Sequence, residues 1–149
     1  KIEFDNNIPE PKKLITKDAV SILLNGIGGT GVVTVAAILG MASRLEGKKF
    51  SALDMAGLAQ KGGSVWSHMI ISEPSQEINS PRIPNGDSDV LLGCDLVVSA
   101  SKKTREILSK DTICVVNTKK QMTGDFARNS NLTFPVSISS FLTFGYVFL

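Results

Sequence analysis

Residues 19–54 read AVSILLNGIGGTGVVTVAAILGMASRLEGKKFSALD, and this stretch decides the fold class of the 149-residue chain. It opens with a continuous apolar run, Ala19–Asn25, of the kind that forms a strand buried on both faces of a sheet. A glycine-dense turn follows at Gly26–Gly31. The next segment, Thr30–Glu46, is predicted to be a helix that ends at Gly47.

A second short apolar run, Phe50–Leu53, follows the helix and ends at Asp54. Strand, glycine turn, helix and strand make one βαβ unit, whose two strands should be parallel. The rest of the chain is predicted to begin with a strand at Ser64–Ile71, an irregular connection at Glu73–Gly86 and a short helix at Asp87–Gly93. A strand at Leu96–Ala100, a polar helix at Lys102–Ser109 and a strand at Thr112–Asn117 are predicted to follow. This order favours a three-layer, Rossmann-like α/β domain with a mostly parallel sheet.

The first helix has an unusual composition, because no charged residue occurs from Val32 to Ala42. A helix on the outside of a domain normally shows a polar face. We therefore expect another layer, domain or subunit to cover its second side.

The two ends of the chain differ from the middle. Residues 1–18 contain Pro9 and Pro11 with little periodicity, so they are predicted to be a linker or arm after an upstream domain. The domain itself is assigned to residues 19–149. No turn signal separates Pro135–Ile138 from Phe141–Leu149, which predicts a missing stretch near 138–141 and an end inside a helix.

Composition excludes several classes of function. Sixteen basic residues against 14 acidic ones give a net charge of +2, and the basic residues are scattered, so neither nucleic acid nor a membrane surface is an expected partner. No apolar run approaches the ~20 residues that span a bilayer. The two cysteines, Cys94 and Cys114, lack the CxxC spacing of zinc or iron–sulfur sites, and their apolar surroundings predict buried free thiols in a cytoplasmic protein.

The glycine turn is the main candidate site, because G-x-G-x-x-G between a strand and a helix is a phosphate-binding pattern. Gly26 is predicted to permit the tight turn, and Gly31 to let the helix pack close to the strand. Gly28 and Gly29 leave room for a phosphate beside Thr30. The free N–H groups of the first helical turn would stabilise that phosphate without a charged side chain.

Two further segments are candidate contacts. Asp54 ends the second predicted strand, where an acid in a dinucleotide fold accepts hydrogen bonds from ribose hydroxyls. Lys61, followed by Gly62 and Gly63, could reach a phosphate with help from free backbone N–H groups. The structural alternatives are that the glycines only make a tight turn, that Asp54 caps a loop, and that Lys61 is an exposed lysine.

No catalytic or metal-binding residue is predicted. His68, the only histidine, lies in a predicted strand and is interpreted as structural. No G-x-S-x-G nucleophile context and no acid pair stand out. The pattern favours a binding module that is inactive alone.

Five stretches of the chain have a recognisable wording: residues 26–34 (GIGGTGVVT), 45–48 (LEGK), 53–63 (LDMAGLAQKGG), 80–84 (SPRIP) and 92–98 (LGCDLVV). Together they resemble the gamma domain of 2-oxoacid:ferredoxin oxidoreductases of the indolepyruvate type. The likeness covers about residues 20–135. Gly26, Gly28, Gly29, Gly31 and the segment 61–63 match the family's loop positions.

The resemblance implies a parent enzyme that decarboxylates arylpyruvates on thiamine diphosphate. It would pass electrons through iron–sulfur clusters to ferredoxin and release an acyl-coenzyme A. The domain itself would hold no cofactor firmly; its partners would be other domains or subunits, with ferredoxin reached through the complex and a dimer possible. Its implied part is to cover the thiamine site, support subunit contacts and approach coenzyme A. Asp54 matches the family, but the resemblance gives it no ribose role. Ser64 and Trp66 stand where smaller residues are expected, which would alter a contact surface.

Two other functions stay open at the level of sequence. The glycine turn and Asp54 would suit an NAD-binding domain of a dehydrogenase, although no catalytic base or substrate domain is visible. The glycines could also serve packing alone, in a scaffold domain without a ligand.

Overall fold

A computed structural model describes residues 15–57, 62–119, 129, 131 and 147–148 of the chain. The described strands are β1 (Ala19–Ile27), β2 (Lys49–Ala56), β3 (Ser64–Ser72), β4 (Ser88–Gly93), β5 (Leu108–Val116) and β6 (Val147–Phe148). The described helices are α1 (Val32–Leu45), α2 (Leu96–Ser99) and α3 (Lys102–Ile107). The alternation of strands and helices confirms the predicted α/β class.

All six described strands form one sheet in the order β2-β3-β1-β4-β5-β6. β1, β4, β5 and β6 pair in parallel, whereas β3 is antiparallel to both β1 and β2. Five of these strands therefore point the same way, and the sheet is mostly parallel as predicted. The strands that flank α1 also point the same way, but β3 lies between them, so they are not hydrogen-bonded neighbours.

Helices lie on both faces of the sheet, which confirms the three layers. On one face, Leu24 of β1 and Met69 of β3 pack with Val32 and Ala36 of α1. On the other face, Leu23 packs in a larger apolar cluster. That cluster also contains residues of α2, α3 and the 73–87 connection, among them Leu96, Val98, Ile107 and Ile83. The alternation of side chains along β1 assigns its residues to these two cores.

Two predicted elements in the middle of the chain are wrong. Residues 88–93, predicted as a short helix, form strand β4, because pairing with β1 and β5 decides the structure of an apolar run that has no clear period. The run at 96–100, predicted as a strand, begins helix α2. Asp95 caps this helix by accepting a hydrogen bond from the N–H of Val98 at 2.8 Å, which outweighs the strand preference of two valines.

The ends of the chain are described only in part. Residues 1–14 of the predicted arm, and the predicted break near 138–141, lie outside the described residues. Lys17 is attached to the domain through a 2.5 Å ion pair with Asp89. Val147 and Phe148 form β6 beside β5, so the predicted terminal helix is wrong at these two positions. In the described part of the chain, no helix has both the length and the apolarity that a membrane crossing requires.

Candidate functional site

The glycine turn joins β1 to α1 as predicted, but its glycines have different roles from those expected. Gly26 lies inside β1, and a Cβ there would be 2.5 Å from the Thr30 hydroxyl and 2.9 Å from the Cβ of Cys94. Gly26 therefore permits close packing, not the turn. Gly31 has a φ of +87° and no atom within 4 Å of a built Cβ, so it supplies the left-handed conformation, not close packing.

Gly29 and Gly28 also have different roles, one through its backbone conformation and the other through a hydrogen bond. Gly29 has a φ of +93° and no atom within 4 Å of a built Cβ, so its backbone is accessible. Gly28 has no positive φ, and its N–H donates to the carbonyl oxygen of Gly63 at 2.8 Å. The structure thus joins two of the predicted glycine segments directly, and it removes the Gly28 N–H from the set of free donors.

The amino end of α1 lies open beside this turn. Gly31 occupies the cap position without a side-chain hydrogen bond, and the first turn contains no acidic residue. The first helical hydrogen bond runs from Val35 N to Gly31 O at 2.9 Å, so the N–H groups before Val35 have no partner within the helix. These donors and the helix dipole favour an anion at this end.

A shallow depression of about 240 Å³ lies over these donors. It is lined by the glycine turn, by Val33 and Thr34 of the first helical turn, and by Val65 of β3. Among the described residues, no charged side chain lines it. Ligand pockets for whole organic molecules measure roughly 300–1,000 Å³, so the depression has room for one phosphate-sized group and not for a complete dinucleotide.

Asp54 lies apart from the glycine turn. It is an exposed residue inside β2, paired with Ser67 of β3, which is paired in turn with Leu24 of β1. Two strand spacings of about 4.8 Å separate Asp54 from β1, because β3 occupies the position that the second strand has in a dinucleotide fold. The position of Asp54 therefore does not support the ribose contact that its spacing from the glycine turn suggested. Lys61 lies outside the described residues, whereas Gly62 and Gly63 lead into β3 beside the turn.

A buried polar network, which no sequence motif indicated, supports the strand before the turn. The Asn25 amide donates to the Thr104 hydroxyl at 3.0 Å and accepts from the Ser99 hydroxyl at 2.8 Å. The Trp66 indole N–H also donates to Thr104 at 3.0 Å, and Thr104 donates to the carbonyl oxygen of Val98 at 2.8 Å. The network fixes α2 and α3 against β1 on the face opposite α1.

Trp66 is an internal residue, so the expectation that it alters a contact surface is wrong. Only 8% of its surface is exposed, and the Lys103 ammonium lies 3.8 Å from the centre of its ring. A cation over the face of an indole is an attractive arrangement. Lys103 therefore covers the outer side of the network.

His68 is fully buried, and its contacts fit a structural role. Its Nδ1 accepts a hydrogen bond from the backbone N–H of Ile83 at 3.2 Å, which anchors the 73–87 connection to β3. Burial lowers the pKa of His68 below its usual 6.5, and the nearby charges of Arg82 and Lys103 lower it further. The lowered pKa and the acceptor role of Nδ1 both favour the neutral ring, whose Nε2 is buried without a hydrogen-bond partner among the described residues.

The described residues contain no set of side chains that could bind a metal ion or an iron–sulfur cluster. Cys94 and Cys114 are free thiols, half-buried and buried respectively, and burial raises the pKa of Cys114 to about 11. Asp95 is buried, and burial raises its pKa as well. In the described residues, no three His, Cys, Asp or Glu side chains come together around a possible ion. The side chains in this part of the chain therefore do not form the ligand set of an iron–sulfur cluster.

The described residues form an α/β module in which a glycine turn leaves the start of α1 accessible. Residues 21–141 match the model of the pyruvate ferredoxin/flavodoxin oxidoreductase family, so the chain belongs to that family. This confirms the resemblance to the gamma domain.

Among curated proteins, the chain is similar to the indolepyruvate oxidoreductase subunit IorB of Archaeoglobus fulgidus. The two are 31% identical over 101 residues, which cover 68% of this chain and 47% of that protein. It is also 31% identical to the common gamma subunit of the pyruvate/ketoisovalerate oxidoreductases of Pyrococcus abyssi, over 68% of this chain and 53% of that protein. The chain thus spans about half the length of these relatives.

Two solved structures share the fold. The pyruvate oxidoreductase subunit PORC of Thermotoga maritima is 26% identical with a TM-score of 0.55, over 75% of this chain and 56% of that chain. The 2-oxoglutarate:ferredoxin oxidoreductase of Magnetococcus marinus, solved with coenzyme A bound, is 13% identical with a TM-score of 0.58. The match covers 72% of this chain and 18% of that chain, and it supports the fold alone.

Proposed function

We propose that this chain is the gamma-type part of a 2-oxoacid:ferredoxin oxidoreductase that acts on arylpyruvates such as indolepyruvate and forms acyl-coenzyme A. The observation that carries the proposal is the family match over residues 21–141, together with relatives that are named as indolepyruvate oxidoreductase subunits. In this proposal the described residues supply no catalytic group. Thiamine diphosphate and iron–sulfur clusters, when bound, supply decarboxylation and electron transfer elsewhere in the complex.

The glycine turn is the proposed contact for a phosphate group of coenzyme A. Gly29, Thr30 and Gly31 leave the start of α1 accessible, and the helical N–H groups before Val35 supply donors at the depression. Gly26 and Gly28 belong to the same site as packing residues, because they hold the turn against Cys94 and Gly63. Lys61 remains a proposed second anion contact beside Gly62 and Gly63.

The assignment to NAD is less well supported by the geometry. A dinucleotide needs an acid at the end of the strand next to β1, and β3 occupies that place. A phosphate contact with coenzyme A does not depend on that acid, and in our proposal the remainder of the molecule extends towards another subunit.

Reconstitution of the complex tests the proposal. The full-length protein would be combined with the thiamine-binding subunit of the same oxidoreductase, and ferredoxin reduction would be measured with indolepyruvate and coenzyme A. We expect turnover that requires both polypeptides and that is faster with indolepyruvate than with pyruvate. Equal turnover when the full-length protein is omitted would contradict the proposal.

A further inference from the structure

The connection between β3 and β4 is fixed to the domain at its two ends by backbone hydrogen bonds. At its start, the N–H of Glu73 donates to the carbonyl oxygen of Asp18 at 2.8 Å. At its end, the N–H of Gly86 donates to the carbonyl oxygen of Glu106 at 2.9 Å. The two ends are therefore anchored to different parts of the chain, independently of the residues between them.

A single hydrogen bond joins the middle of the connection, residues 78–85, to the rest of the described chain. It runs from the backbone N–H of Ile83 to Nδ1 of His68 at 3.2 Å. Pro81 and Pro84, on either side of Ile83, have no N–H to donate. The Ile83 side chain is 1% exposed and packs in the apolar cluster on this face of the sheet. We name this contact the His68–Ile83 clasp.

The clasp requires His68 to be unprotonated at Nδ1, because the Ile83 amide can only donate. A neutral imidazole offers one nitrogen as an acceptor, whereas an imidazolium carries an N–H on both nitrogens and accepts nothing. Protonation would therefore place two N–H groups against each other at the clasp. The other ring nitrogen, Nε2, is buried without a hydrogen-bond partner among the described residues, so it would not stabilise the charge either.

The surroundings of His68 disfavour a positive charge. Its partners in the flanking strands are Leu23 of β1 and Leu53 of β2. The charged groups that act on the ring are both cations, Arg82 of the connection and Lys103 of α3. Burial and then these two charges lower the pKa of His68. A buried imidazolium with no acceptor and no counter-ion is costly, so a protonated ring has to reach water.

We propose that the His68–Ile83 clasp is an acid-sensitive switch, which opens when His68 takes up a proton and releases residues 78–85 while the sheet stays folded. The helices on the same face are held by the buried network of Asn25 and Thr104, whose side chains do not titrate. The connection is therefore the part of this layer that protonation of His68 can detach. This switch goes beyond the proposed function and does not depend on it.

One further contact, just before the released residues, does not oppose the opening strongly. Lys49 of β2 forms an ion pair with Glu77 at 2.6 Å, in an exposed position. Exposed ion pairs stabilise a fold little. The pair also lies outside residues 78–85, so it can persist when the clasp opens.

The direction of the pH dependence follows from the two states. In the open state His68 is solvated and has a pKa of about 6.5, whereas in the closed state its pKa is lower. The clasp should therefore be closed above about pH 6.5. Below it, the ratio of open to closed molecules should rise by up to about tenfold per pH unit.

Hydrogen exchange of the full-length protein, followed by mass spectrometry from pH 7.5 to pH 5, tests the switch. Exchange rates would be corrected for their intrinsic pH dependence, and residues 78–85 would be compared with β1. We expect residues 78–85 to lose protection below about pH 6.5 by up to tenfold per pH unit, while β1 stays protected. His68→Asn keeps a neutral acceptor near the position of Nδ1 and should keep residues 78–85 protected at pH 5.

A second pair of variants tests the electrostatic part of the switch. Arg82→Gln removes one of the two cations near His68 and should move the opening to higher pH. Arg44→Gln changes an exposed arginine of α1, in the opposite layer, and should open at the same pH as the wild type.

The results that would overturn the switch are distinct. Residues 78–85 that stay equally protected from pH 7.5 to pH 5, or that open in His68→Asn as in the wild type, would overturn it. An equal loss of protection in residues 78–85 and in β1 would also overturn it, because that loss reports unfolding of the whole domain. If His68→Asn does not fold, an opening pH that Arg82→Gln leaves unchanged would still overturn it.

Discussion

The backbone N–H of Gly28 donates to the carbonyl oxygen of Gly63 at 2.8 Å, which joins the turn after β1 to the start of β3. These residues are 35 positions apart, and each belongs to a glycine-rich segment that the sequence singled out. Their bond fixes one side of the turn and leaves the other side, at Gly29 and Gly31, open over the start of α1. Packing and ligand approach are therefore divided between different glycines of one motif.

Alanine substitutions at neighbouring glycines should separate these roles. At Gly28 the added Cβ would lie 3.5 Å from the nearest atom, an ordinary contact, and no positive φ opposes it. Gly28→Ala should therefore change the unfolding free energy by less than about 0.5 kcal/mol. Gly29→Ala should cost about 1–2 kcal/mol, because alanine must adopt a φ of +93°. Urea unfolding measures both, and a larger loss at Gly28 than at Gly29 would contradict this division.

Gly26→Ala tests the packing role inside β1. The new methyl group would meet Thr30, Val32 and Cys94 at 2.5–3.0 Å, so neighbouring atoms must shift. We expect a loss of about 1–3 kcal/mol, which is typical of overpacking. Thermal unfolding would show it, and Gly28→Ala serves as the control. A Gly26→Ala protein as stable as that control would mean that Gly26 is not a packing residue.

The hydroxyl of Thr104 should be essential to the buried network. Thr104→Val removes the acceptor for both Asn25 and Trp66 and leaves two buried donors without a partner. The expected cost is about 2–4 kcal/mol, since each such donor costs roughly 1–3 kcal/mol. Thr104→Ser keeps the hydroxyl and should retain most of the stability. Equal unfolding midpoints for the Val and Ser variants would rule out a role for the hydroxyl.

His68 should make the free energy of unfolding decrease as the pH is lowered. Its pKa in the folded chain is lowered, so the unfolded chain binds the proton first as the pH falls below about 6.5. The contribution is therefore fully present above that pH and is lost progressively below it. Protonation also removes the Nδ1 acceptor of the Ile83 N–H. Unfolding free energies measured from pH 8 to pH 5 should show this slope, and His68→Gln should flatten it; an unchanged slope in the variant would assign the effect to other groups.

Local sequence signals predicted the first third of the fold well. The apolar run of β1, the glycine turn and the stop at Gly47 each act within a few residues, and Gly47 has the expected positive φ of +70°. The order of strands could not be predicted in this way. β3 lies between β1 and β2 because it also pairs with β1, from Ala19 with Ser72 to Ile27 with Ser64, and no local pattern encodes a pairing between segments so far apart along the chain.

The site was predicted in position but not in detail. The motif placed the glycines at a helix start, but Gly26 and Gly31 exchanged roles because φ angles and contacts with Cys94 depend on the folded chain. Two predicted elements in the middle of the chain were wrong because they also depend on contacts in the folded chain. Ser88–Gly93 is too short to show a hydrophobic period. The valine-rich run after Asp95 forms a helix, which the Asp95 side chain caps by accepting a hydrogen bond from the Val98 N–H.

The most direct test of the phosphate site is a calorimetric titration of the full-length protein with coenzyme A and with NAD, using Thr34→Glu and Thr34→Gln. Thr34 is an exposed residue of the first helical turn that lines the depression. A carboxylate there should repel the phosphate, whereas the neutral amide serves as a matched control. We expect coenzyme A to bind the wild type and Thr34→Gln, and to bind Thr34→Glu at least tenfold more weakly. Tight binding of NAD with no response to coenzyme A, or coenzyme A binding that Thr34→Glu leaves unchanged, would contradict the account.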